Sequence, residues 1–103
     1  MNNMNGLLQQ AQQMQRKMLE VDNKLKEMEV EGSVSNGLVK VTMTAKGIVK
    51  SVKIDASLKE DIDVLEDLII AAMNEAKKNA DILSEKEMKS VTGGMPMPPG
   101  LKF

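Results

Sequence analysis

Arg16 and Lys17 are the only side-chain cations of a stretch, residues 1–19, that contains no Asp or Glu. Gln9, Gln10, Gln12, Gln13 and Gln15 surround them. Guanidinium, ammonium and amide groups without opposing carboxylates suit hydrogen bonding to an anion such as a phosphate, with no covalent step. Gln is also a good helix former on solvated faces, so Gln9 and Gln13 are weaker candidates than Arg16 and Lys17. Covalent chemistry has little to work with. The chain has no His and no Cys, which removes the commonest general base, the commonest metal ligand and any thiolate. Acids crowd Glu60, Asp61, Asp63, Glu66 and Asp67, but without such a partner they read as a solvated helix start matched to the helix dipole. No catalysis, metal, cofactor or small-molecule substrate is expected.

The bulk properties agree. A chain of 103 residues forms one small domain. Phe103 is the lone aromatic and the ten Met do much of the filling, which suits surfaces that adapt to a neighbour. No apolar run approaches the roughly 20 residues a membrane helix needs, and no signal peptide is evident. The expectation is a cytoplasmic protein without a membrane partner. The formal net charge of −1 is unevenly spread: residues 32–59 hold five Lys against one Asp, and residues 60–83 hold seven acids against two Lys. A weakly acidic chain is a poor phosphate binder unless its cations cluster away from its acids.

Apolar residues then define the elements. Met4, Leu7, Ala11, Met14, Met18, Val21, Leu25 and Met28 follow an unbroken three-four alternation. That is a narrow heptad seam of the kind one helix offers another. The segment would be about 37 Å long at about 1.5 Å per residue, against about 27 Å for the longest candidate strand at about 3.3 Å per residue. It should overhang its own sheet, so the seam is expected to be a dimer interface.

From Glu31-Gly32 the period changes to two. Asn36-Gly37 and Lys46-Gly47 predict two-residue hairpin loops between strands at about residues 30–35, 38–45 and 48–54. Aligning the strands on those loops collects Val30, Val34, Val39, Val41, Met43, Ala45, Ile48, Val52 and Ile54 on one face, with Lys50 intruding opposite Met43. The other face collects Glu31, Ser33, Lys40, Thr42, Thr44, Val49, Ser51 and Lys53. Lys40 falls opposite Lys53, a mildly destabilising pair that a ligand would justify, although two flexible lysines on a wet face need no ligand.

Ser57 and Glu60 have capping-box spacing. A second helix is expected from about Asp61 to Leu83, with Ile62, Leu65, Ile69, Ala72, Ala76, Ala80 and Leu83 as its inner stripe. Residues 84–103, which include Gly93-Gly94 and Pro98-Pro99, read as a flexible Gly/Pro/Met-rich tail whose Met95, Met97, Leu101 and Phe103 could dock on a partner. The domain is therefore 1–83, an α+β fold of order α-β-β-β-α around a three-stranded antiparallel meander.

Gly37-Leu38-Val39-Lys40-Val41 and Gly47-Ile48-Val49-Lys50-Ser51-Val52-Lys53-Ile54-Asp55 resemble the central block of the YbaB/EbfC family of bacterial nucleoid-associated proteins. Leu65-Glu66-Asp67-Leu68-Ile69, Ala72 and Asn74-Glu75-Ala76 are similar to that family's second-helix signature. The Gln/Met-rich opening and the Gly/Pro-rich close match too, so the likeness covers nearly the whole chain. The resemblance implies an intertwined, tweezer-like homodimer with projecting helices. It also implies double-stranded DNA bound with little sequence selectivity, a nucleoid location, and a part in nucleoid organisation, gene regulation or repair. The residues alone leave open a second reading, a non-enzymatic adaptor or holdase that grips proteins with its projecting helices. Two surfaces compete for DNA: the acid-free half of the first helix (Arg16, Lys17, Gln9, Gln13) and the open sheet face (Lys40, Lys53).

Overall fold

The computed structural model describes residues 3–92. Its order is a long helix α1 (Asn3–Glu27), strands β1 (Glu29–Val34), β2 (Val39–Thr44) and β3 (Val49–Ile54), and a second long helix α2 (Ile62–Thr92). The sheet is an antiparallel meander in the order β1-β2-β3, and the molecule is a rod of 72 × 22 × 18 Å.

The first hairpin has the expected register: Val34 faces Val39, Gly32 faces Val41 and Val30 faces Met43. Its turn holds three residues at positive φ, Ser35, Asn36 and Gly37, one more than the Asn-Gly pair alone implied. The second hairpin corrects the expectation twice. Thr44 N–H donates to the Ile48 carbonyl at 2.8 Å, so Ala45, Lys46 and Gly47 form a three-residue loop with Gly47 at φ +92. The Thr44 hydroxyl closes that loop by accepting from the backbone N–H of Lys46 and of Ile48. This slips the register by one, and a bulge takes the slip out again: Met43 faces Val49, whereas Thr42 faces Ser51. Lys50 is the extra residue of the bulge and does not oppose Met43. Val49 thereby joins the apolar side and Ile48 pairs with Thr44, the reverse of the sequence expectation. Beyond the bulge the expected pairs return, Val41 with Val52, Lys40 with Lys53 and Val39 with Ile54.

α2 lies on β1 and β2. Val39, Val41, Met43, Leu58, Ala72, Ala76 and Ala80 form one core cluster. Small helix residues let the backbones approach closely. At Gly32 an added Cβ would sit 2.3 Å from both the Ala72 carbonyl oxygen and the Ala76 nitrogen. The Asn79 side chain also donates to the Glu31 carbonyl at 2.8 Å. The start of α2 is capped by Asp61, whose carboxylate accepts from Val64 N–H at 3.4 Å. Ser57 sits instead in a 3-10 turn, Ala56–Leu58, capped by Asp55, so the expected Ser57–Glu60 capping box is not what starts the helix.

α2 also runs past Leu83, where the sequence reading ended it, to Thr92. This overturns an argument built on the seam. Val21, Leu25, Ala45 and Met88 form a second core cluster, with Met18, Met28, Leu83 and Val91 packed against it. The root of α1 is thus covered by the chain's own second helix, and Leu25 is completely buried. The two helices run antiparallel here, pinned by Lys24 to Glu87 at 3.1 Å. Residues 93–103, with the proposed docking residues Met95, Met97, Leu101 and Phe103, lie outside the described part of the chain.

Candidate nucleic-acid interface

The outer half of α1 is bare. Each residue from Met4 to Gln13 is exposed, as are Arg16 and Lys17. Helical geometry puts Gln9, Gln13 and Arg16 on one face, opposite the Met4, Leu7 and Ala11 stripe, with Lys17 on its flank. The first carboxylate, Glu20, lies one turn past Arg16. Among the described residues neither Arg16 nor Lys17 has an ion pair, so both cations are available to a ligand.

Cations nearer the root are already used. Lys26 reaches Asp22 at 3.6 Å, an i,i+4 pair that supports the helix. Lys24 follows Glu20 by the same four residues, but it crosses to Glu87 instead. Lys46 Nζ lies 2.5 Å from Asp22 Oδ1, clamping the β2–β3 turn to α1. That hydrogen bond chiefly holds the Asp22 carboxyl below its ordinary range, against partial desolvation and with help from the Lys46 and Lys26 charges. Asp55 is held low by the hydroxyl and backbone N–H of Ser57.

The open sheet face does place Lys40 beside Lys53. Its field is partly cancelled, because Lys40 Nζ lies 3.9 Å from Glu31 Oε1. The structure also keeps the two candidate surfaces apart. Lys40 is five residues, about 16 Å, down β2 from Ala45, where α1 packs. Arg16 is a further nine residues, roughly 14 Å, up α1 from Leu25. One chain cannot present both to the same few phosphates. Among the described residues no group of His, Cys, Asp and Glu is placed to hold a metal ion, and no helix is long and apolar enough to cross a membrane.

With the site laid out, likeness to known proteins becomes decisive. The model of the YbaB/EbfC DNA-binding family matches residues 1–95. The chain belongs to that family. A nucleoid-associated protein of Gluconacetobacter diazotrophicus is 49% identical over 105 residues, covering 100% of this chain and 98% of its own length. The crystal structure of an uncharacterised Helicobacter pylori protein superposes with a TM-score of 0.74 at 22% identity, over 90% of this chain and 97% of that one. At that identity it attests the fold, the same helix, three-stranded sheet and helix. For this member of the YbaB/EbfC family, sequence reasoning named Arg16, Lys17, Lys40 and Lys53 as candidate DNA contacts. It missed the Lys24–Glu87 and Lys46–Asp22 contacts that set the direction of α1. Both join residues far apart in sequence, and no spacing rule reports such pairs.

Proposed function

We propose that this protein binds double-stranded DNA as a homodimer with little sequence selectivity and acts at the nucleoid, organising DNA and influencing regulation or repair. Family membership and the nucleoid-associated relative support the class. One observation carries the mechanism: α1 holds out an exposed, acid-free segment on which Arg16 and Lys17 have no ion pair among the described residues. Gln9 and Gln13 add amide donors on the Arg16 face. Such groups grip phosphate oxygens in any sequence. Two copies supply four side-chain cations, which offsets the weakness of a chain whose net charge is −1.

The adaptor reading draws on a different observation, the exposed Met4, Leu7 and Leu8 near the outer end of α1, a stripe that could grip an apolar partner. A mobility-shift titration with mixed-sequence duplexes separates the two. Four released counterions give a slope of about −3.6 in log K against log salt, or roughly 150-fold weaker binding at 200 mM than at 50 mM salt. The adaptor reading predicts no shift at either concentration.

A further inference from the structure

Every residue of α1 from Met4 to Gln13 is exposed, so the direction of the helix is set at its root. The Ala45 N–H donates to the Met28 carbonyl at 2.9 Å, joining the residue after β2 to the residue after α1. Leu25 is seated against Ala45 and Met88. That packing is non-directional: it holds the root in place without fixing where the rod points. Direction comes from two charged contacts. Asp22 and Lys24 stand on opposite flanks of Leu25 around the helix. Asp22 meets Lys46 of the β2–β3 turn at 2.5 Å, and Lys24 meets Glu87 of α2 at 3.1 Å. The two carboxylate side chains are only 22% and 17% exposed. With one pair bracing each flank, neither a swing nor a roll of the arm is free.

The arm magnifies any error at that root. Arg16 lies about 14 Å and Met4 about 32 Å from Leu25 along the axis, so a tilt of about 10° shifts them by about 2 Å and about 6 Å. Charge-assisted hydrogen bonds to phosphate need N···O within about 2.7–2.9 Å. A shift of about 2 Å at Arg16 therefore breaks such a bond, and the two cations lose their common target.

Charge makes the placement of Asp22 informative. It lies six residues, about 9 Å, from Arg16, inside the roughly 10 Å over which charges stay coupled in 0.1 M salt. An acid there repels the phosphates that Arg16 attracts. Its presence has to be explained by what it holds.

We propose that Asp22 and Glu87 are positioning residues for DNA binding: paired with Lys46 and Lys24, they aim α1 so that Arg16 and Lys17 reach phosphates together. This rests on the DNA-binding reading and names what fixes the geometry of its arm.

The test turns on a sign. Asp22→Asn and Glu87→Gln each remove one negative charge and little volume. As background charge alone, either loss would tighten binding to duplex DNA. Lost aim does the reverse: with roughly a tenth of arm orientations competent, apparent affinity falls about tenfold. The salt slope should stay at the parent's value, since Arg16 and Lys17 still displace the counterions. Titration at DNA concentrations well above Kd counts the competent protein and so separates lost aim from lost folding. Asp22→Lys combined with Lys46→Asp rebuilds the pair in reverse and should regain most of the affinity. The chain has no Cys, so Leu8→Cys and Lys59→Cys, both at exposed positions, carry spin labels on the arm and the body. With labelled chains diluted into unlabelled protein, the distance distribution should be narrow in the parent background and broadened by Asp22→Asn, without DNA present. Binding as tight as the parent's or tighter in both single variants, a flattened salt slope, or a reversed pair no better than Asp22→Asn overturns the positioning role while DNA binding by the parent stands. A parent that shifts no duplex overturns the DNA reading itself, and equally narrow distance distributions then refute the aiming of the arm.

Discussion

Lys46, in the turn between β2 and β3, hydrogen-bonds Asp22 on α1 at 2.5 Å, with both side chains about four-fifths covered. The contact ties the root of the projecting helix to the tip of a hairpin. Together with Leu25, seated against Ala45 and Met88, it converts an overhanging helix into a directed arm. A ligand held by that arm is held relative to the body of the protein.

The Asp22 carboxyl titrates lower in the folded chain than its ordinary value of 3.8, chiefly through the Lys46 hydrogen bond. A depressed folded value means the stabilisation is fully present above about pH 4 and is lost as pH falls through the folded value. Asp22→Asn should cost about 1 kcal/mol at pH 7. Its thermal midpoint should then fall less steeply than the parent's on acidification below about pH 4. Asp55 is also held low, but it is common to both proteins and cancels. Parallel acid profiles for parent and variant would contradict the assigned contact.

Gly32→Ala forces a methyl group into the backbone of α2 at 2.3 Å. Backbone atoms cannot rotate aside as a flexible side chain can. A loss of about 3 kcal/mol is expected, the upper end of ordinary overpacking, read as a drop in the urea midpoint. A change under about 0.5 kcal/mol would mean that α2 does not sit on β1 as closely as described.

Leu25 and Leu7 lie on the same heptad seam, at an a and a d position, yet Leu25 is fully buried and Leu7 is 62% exposed. Leu25→Ala should cost about 2–5 kcal/mol. Leu7→Ala should stay within about 0.5 kcal/mol. Equal effects would mean that the seam is used along its whole length, as an α1-to-α1 interface requires.

The element order, the first hairpin and the inner stripe of α2 from Leu65 to Leu83 were legible because each rests on local periodicity and turn chemistry. Ile62, expected in that stripe, is 62% exposed at the first position of the helix, ahead of the stretch that meets the sheet. The second hairpin was misread at two points that cancel. Ala45-Lys46-Gly47 admits either a two- or a three-residue loop, and nothing local marks Lys50 as a bulge. The far end of α2 was hidden by Ser84, Glu85, Lys86 and Glu87, which look like the start of a tail. Met88 and Val91, eight and eleven residues past Ala80, were the signal that the stripe continues. The cationic candidates could be counted from sequence. That Glu31 shadows Lys40, while Arg16 and Lys17 are left without an ion pair among the described residues, depends on contacts across the fold.

The most direct test compares salt slopes of DNA binding for the parent, Arg16→Gln/Lys17→Gln and Lys40→Gln/Lys53→Gln. Both double variants keep exposed positions filled, so folding should be preserved in each. The helix variant should lose up to about 3.6 units of slope, as four cations are removed per dimer, with affinity falling across all sequences alike. The sheet variant should keep the parent's slope. An unchanged slope for the helix variant beside a flattened slope for the sheet variant would contradict the placement of the DNA contact on α1.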